Sequence, residues 1–282
     1  MKKILLMTIC ASLIVACGKN EKIEKNDVKI VEEEKVTSPL MSNMADDESL
    51  LYVENALKDK LNTENVEEFI GLVKSYNESV GTDKLNHGFN ENINPTYDVG
   101  AMIDKRQALG EDRVDTDCRI NAFLLVKDEL VNKNPQEVDD SMLFADNDNI
   151  SKGKIFDPKD HEKFKEFFSR IKTETSKDVE VHAKVMEDFY KNWEFPEKAD
   201  LISVIIHDVL DGSYLYVGHV GVLVEIPNAY LFVEKISFEE AYQAIKFPSK
   251  EACYKYLKEK FKDFTDPDAA APFIMDNGKK VA

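Results

Sequence analysis

Basic residues are in short supply: 37 Lys and Arg stand against 54 Asp and Glu, for a formal charge of −17. Phosphate binding needs a basic surface that releases counterions, so this balance argues against a nucleic-acid partner. It is read instead as a solvated acidic exterior and says little about fold. Long apolar runs are lacking as well, because Ile4 to Val15 is too short for a bilayer-spanning helix of about 20 residues. No stretch completes a calcium loop. Asp146-Asn147-Asp148-Asn149 starts like one, but the glycine and glutamate that should follow at the sixth and twelfth positions are missing, so the run is read as surface loop. No metal and no organic cofactor is implied. Cysteine is sparse, with 4 in 282 residues. What is present, 43% hydrophobic residues over that length, is enough for one good-sized core.

The N-terminus carries the most specific pattern. Lys2 and Lys3 precede the apolar run, and Ile14-Val15-Ala16-Cys17 follows at the small-residue boundary where a signal peptidase cuts. The pattern resembles a bacterial lipoprotein signal. It implies a signal peptide over residues 1–16 and an acylated Cys17, whose diacyl group supplies the two-chain hold that stable anchoring needs. The expected location is extracytoplasmic, on the outer face of the cell membrane, with the lipid bilayer as a partner through Cys17. Residues 17–45, rich in Lys, Glu and Asn, read as the lipidated cysteine and a solvated tether. A single domain is expected over 46–282.

Cys10 leaves with the signal, so Cys118 and Cys253 remain as thiols. Cys253, Tyr256, Leu257 and Phe261 recur at helical spacing, which places Cys253 on a buried stripe. Cys118 is then expected to be free, with a disulfide to Cys253 as the alternative that export permits.

From Asp46 the helical period begins. Leu50, Val53, Leu57 and Leu61 mark one helix, and Val66, Phe69, Ile70 and Val73 a second. The Gly-, Asn- and Pro-rich stretch 81–98 reads as loop and carries His87 and Tyr97, either of which could line a cleft. A short helix follows over 99–109. The loop Asp115-Thr116-Asp117 then delivers Cys118 to the start of a helix over 119–130 whose residues are apolar on most sides. Free amides and the positive end of the helix dipole at that position favour a thiolate, and the Cys118 amide can donate to a developing oxyanion. The competing reading is a buried structural cysteine. Two further helices carry Phe164, Phe167, Phe168 and Ile171, then Val181, Val185, Met186 and Phe189, with His182 expected to be exposed beside the second stripe.

Leu201 to Ile206 reads as a strand covered on both faces, and Tyr214 to Ile226 as its longer return. Strict alternation sets Leu215, Val217, His219, Gly221 and Leu223 on one face. Glycines at 218 and 221 open room beside the His219 ring. The strand 230–236 then brings Glu234, a carboxylate able to orient the imidazole. If the reversal is centred between Ile226 and Pro227, Glu234 lies across from His219. If the loop is Asn228-Ala229, Glu234 faces Leu223, about 13 Å along the strand from His219. Glu234 could also pair with a lysine or arginine at the sheet edge. His207, followed by Asp208, is the competing base.

The segments Asp117 to Phe123 (DCRINAF), Gly218 to Val224 (GHVGVLV), Phe232 to Phe247 and Pro272 to Met275 resemble the bacterial lipoprotein family called domain of unknown function 4300. More distantly, Cys118 and the His219-Val220-Gly221 run are similar to the NlpC-type cell-wall peptidases and amidases. That resemblance implies an α+β fold of papain-like, NlpC-like type, in which a helix bearing the nucleophile packs on an antiparallel sheet, with additional helices. It also implies a cysteine hydrolase acting on an amide or ester bond, with envelope peptides or peptidoglycan as substrate. Cys118 would attack, His219 would carry the proton and Glu234 would orient the ring. The alternative is a non-catalytic, envelope-anchored binding or interaction module on the same scaffold. A transport-type substrate-binding lipoprotein does not fit, for want of a two-lobed α/β repeat.

Overall fold

The computed structural model describes residues 35–110 and 114–282. The expected signal peptide, Cys17 and most of the expected tether lie outside the described residues. The fold is mixed α+β, an antiparallel sheet with helices packed on it. Among the described residues no helix is long and apolar enough to cross a membrane.

The first two helices form as their apolar spacing dictates: α1 spans Asp47–Lys58 and α2 spans Thr63–Val80. Asp46 caps α1 by accepting from the Ser49 amide, and Asn62 caps α2 by accepting from Glu64 and Asn65. Helix α3 covers Val99–Gln107 and α4 covers Cys118–Val126. Helices α5 (Phe144–Gly153), α6 (Pro158–Phe167) and α7 (Val179–Tyr190) follow, and α8 (Lys250–Phe261) comes late in the chain.

The main sheet is built from β1 (Leu40–Ser42), β3 (Ile171–Lys172), β5 (Ala199–Asp208), β6 (Tyr214–Ile226), β7 (Ala229–Lys235), β8 (Tyr242–Phe247), β9 (Phe273–Asp276) and β10 (Lys279–Lys280). Its order is β1-β8-β7-β6-β5-β9-β10, every pairing is antiparallel, and β3 adds to the side of β6. Strands β2 (Val131–Asn132) and β4 (Trp193–Glu194) make a separate short pair. One face of the sheet packs against the larger cluster, in which α2 and α4 bury Phe69, Val73, Ile120 and Phe123 against Val220, Val222, Leu231 and Tyr242. The other face packs against α8, where Cys253, Leu257 and Phe261 meet Val204, Leu223, Phe232 and Ile245.

Four expectations are corrected here. Residues 40–45 are part of the fold: β1 pairs with β8, Met41 is wholly buried, and Asn43 donates to the Tyr242 carbonyl. The folded part therefore begins before residue 46, because an apolar Leu-Met pair there finds an open strand edge. The run containing Asp146 is helix α5, and Asp146 is fully buried because Arg119 reaches it with two hydrogen bonds. His182 is buried rather than exposed, its ring centroid 4.1 Å from that of His207 with the planes tilted by 38°. The strict alternation along β6 fails at a bulge. Val204 pairs with His219 and Ile205 with Val217, so Gly218 is an extra residue. That one insertion leaves Leu215 and Val217 on the α4 side and turns His219 to the other face.

Candidate functional site

Cys118 sits where the sequence places it, at the first position of α4, with Asp117 capping the helix by accepting from the Ile120 amide at 3.0 Å. The helix packs on β6 and β7. The reason Cys118 and Arg119 stand at this point is the edge of β6. Strand β3 pairs only with Tyr214 and Leu215, and β7 takes over only from Val222. Between them, backbone groups of β6 need other partners, since a buried orphan costs as much as a lost hydrogen bond. Arg119 Nη1 donates to the Val217 carbonyl at 3.2 Å, and the Val220 amide is directed at the Cys118 thiol. The same guanidinium forks onto Asp146 at 2.9 and 2.8 Å and lies 3.2 Å from Asp117.

The thiol is only 4% exposed. Burial first, and the Asp117 carboxylate second, push it up to about 12, so the helix dipole loses this contest. Cys253 is also a free, buried thiol. The two cysteines belong to clusters on opposite faces of the sheet, and no disulfide joins them.

His219 and Glu234 are brought together, in a register that neither reading of the turn anticipated. The hairpin closes with Ile226 paired to Ala229, and Pro227 and Asn228 form the turn. Proline fixes its own φ, and Asn228 takes the φ of 58° that the third position of a type II turn requires. Val222 then pairs with Val233, and the next step of that register sets Glu234 against Gly221. From there the carboxylate reaches diagonally, the geometry of next-nearest pairs on one sheet face. His219 Nε2 donates to Glu234 Oε2 at 2.6 Å.

Helix α8 completes the group. Tyr256 donates its hydroxyl to Glu234 Oε1 at 2.7 Å, and Lys260 Nζ donates to the Tyr256 oxygen at 2.6 Å, standing 3.5 Å from the carboxylate. Phe261 stacks on the imidazole with centroids 4.8 Å apart. Burial alone would raise the Glu234 pKa. The Lys260 ammonium and the hydrogen bonds from His219 and Tyr256 overcome it and hold the carboxyl at about 2. Glu234 thus pairs with a lysine, from a helix rather than from the sheet edge. The sequence placed Tyr256 on a buried stripe, but nothing in it aimed that stripe at Glu234. The only signal was the i, i+4 spacing of Tyr256 and Lys260.

What the structure does not bring together is Cys118 and this pair. In a strand, successive side chains point to opposite faces. Val220, beside the thiol, belongs to the α4-side cluster, whereas His219 points to the α8 side with Phe261 and Glu234. The backbone of β6 lies between sulfur and imidazole.

The remaining candidates are accounted for by local partners. His207 is buried, with Nε2 donating to Ser213 at 2.8 Å and Nδ1 accepting from the Ala270 amide at 2.9 Å, so neither nitrogen is left for a proton relay. Tyr97 accepts from Asn43 at 2.6 Å and from Gln243 at 2.9 Å. His87 is exposed and bonds the Thr82 carbonyl at 3.0 Å. No group of His, Cys, Asp and Glu side chains able to hold a metal ion occurs among the described residues.

Fold and site together define an α+β protein with an imidazole-carboxylate pair sealed beneath its last long helix. The chain matches the family model described as "Domain of unknown function (DUF4300)" over residues 40–281 and belongs to that family. No curated protein and no solved structure matches it.

Proposed function

We propose that this protein is a lipid-anchored component of the outer face of a bacterial cell membrane, and that its folded domain is a non-catalytic binding or interaction module. One observation carries the choice over a thiol hydrolase: Cys118 and His219 face opposite sides of the sheet. A nucleophile needs its base within hydrogen-bond reach or a short closing motion of it. Here a β-strand intervenes, and a thiol held at about 12 is protonated at neutral pH. The papain-like reading of the scaffold keeps one support, the packing of a helix with Cys118 at its start onto an antiparallel sheet. The anchor rests on the Lys2-Lys3 start, the apolar run and Cys17.

Thiol labelling tests the module directly. Iodoacetamide applied to the native protein between pH 6 and 9 is expected to leave Cys118 and Cys253 unmodified, and both should react once the chain is unfolded. His219→Ala should not change the Cys118 rate. Rapid labelling of native Cys118 well below the ordinary thiol pKa of about 8.5, slowed by His219→Ala, would reverse the conclusion in favour of the cysteine hydrolase and its envelope-peptide substrates. For the anchor, Cys17→Ser should abolish incorporation of labelled fatty acid and release the protein from the membrane fraction. Retention of both would sink that part.

A further inference from the structure

The buried pair has a solvent-facing side. Lys260 and Tyr256, which hold Glu234, also line a surface pocket of about 560 Å³ between α8, Pro39 and the Ile93-Asn94 segment. Its volume falls in the range of small-molecule sites. The walls are apolar where Pro39, Ile93, Ala252 and the Tyr256 ring meet. The charges on its rim are unequal. Glu259 is engaged by Lys262 at 2.5 Å, whereas Lys255 has no ion-pair or hydrogen-bond partner among the described residues. Lys260 is partly exposed; its ammonium donates to Tyr256 and lies 3.5 Å from Glu234, which leaves a third N–H, so an occupant meets the unpaired Lys255 and a remaining donor of Lys260 beside an apolar wall. On a chain of charge −17, such a patch is set apart from its surroundings.

We propose that this pocket is a binding site for a small amphipathic carboxylate, its apolar tail against Ile93, Ala252 and Tyr256 and its carboxylate on Lys255 and Lys260. The polar network underneath gives the site its rigidity. Lys260 is fixed by Tyr256, Tyr256 by Glu234, and Glu234 by His219, so the ammonium is positioned before the ligand arrives. The inference rests on the binding-module reading and names the ligand class for it.

The test titrates the full chain, carrying Cys17→Ser to remove the acylation site, with sodium decanoate by isothermal calorimetry. Saturable one-site binding is expected, weakened by about tenfold in Lys255→Met or Lys260→Met through loss of a charge-assisted contact. Ala252→Trp, which fills the pocket from a position that carries no charge, should abolish it while circular dichroism stays native. Decyltrimethylammonium, with the same tail and opposite charge, should not compete. Absence of decanoate binding, equal binding of the cationic amphiphile, or unchanged affinity in Ala252→Trp with native circular dichroism would each overturn the proposal. So would binding confined to phosphatidylglycerol vesicles, which would assign the patch to a membrane surface. Failure here with Cys118 still unlabelled removes the ligand class and leaves the module; labelled Cys118 removes the module.

Discussion

Replacing Glu234 by alanine is expected to cost the fold about 3–5 kcal/mol, the range for breaking a buried charge pair by deleting one partner. The carboxylate is fully buried and satisfies three groups at once: the His219 imidazole, the Tyr256 hydroxyl and, at longer range, the Lys260 ammonium. Truncation strands all of them. Glu234→Gln keeps the volume and should fall between alanine and wild type. Urea unfolding monitored by circular dichroism reads the difference, and a change of less than about 1 kcal/mol in the alanine variant would show that the network is incidental.

The same carboxylate sets an acid dependence whose direction follows from its pKa. In the folded chain it is held at about 2, below the ordinary 4.5. Its contribution is therefore fully present above about pH 4.5 and is lost as the pH falls toward 2. The depression corresponds to roughly 3 kcal/mol at most. Scanning stability from pH 6 down to pH 2, wild type should lose more than Glu234→Gln in that window, since the amide has no proton to take up. Parallel curves would place the acid sensitivity elsewhere.

The second large effect is expected at Gly221. A Cβ there would stand 2.3 Å from Cζ of Phe232 and 2.7 Å from the Val233 carbonyl oxygen. Neither can yield cheaply: the Phe232 ring is completely buried on the α8 side, and the carbonyl is backbone of a paired strand. Gly221→Ala should cost on the order of 3 kcal/mol, the upper part of the range for overpacking. Gly218 provides the comparison. A Cβ at that position meets Cδ1 and Cγ1 of Ile206 at 2.2 and 2.7 Å; both belong to one side chain that can change its χ1 rotamer while no backbone atom is struck, so Gly218→Ala should cost less, about 1–2 kcal/mol. Equal losses at the two glycines would contradict the argument that rigidity of the neighbour decides the penalty.

Gly221 also shows how the site was only half legible. In the sequence it is a glycine two residues after a histidine, read as room for a substrate. In the fold that room is filled by the Phe232 ring. The pairing of His219 with Glu234 could be anticipated as a possibility, but its register could not, because Pro227-Asn228 admits several turns and each slip of pairing moves the partner. Strand β8 leaves no periodic mark in the sequence. Tyr242, Gln243, Ala244 and Ile245 are all buried, so the segment has no two-residue alternation to detect.

By itself the sequence determined the helices α1, α2, α3, α7 and α8, the start of α4 at Cys118, the strands β5 to β7, and α6 except for its end, since Ile171, expected on that helix, lies in β3. In these, apolar period, capping residues and turn residues act within a few positions of one another, so local chemistry suffices. The face on which His219 lies was decided only by the tertiary structure. A bulge arises when two strands pair with one residue in excess; a glycine such as Gly218 inside a strand permits one, but the excess exists only once β5 is laid beside it. That single residue sends the imidazole to α8 instead of to Cys118, and with it the functional reading moves from a thiol nucleophile to a sealed polar network beneath a pocket.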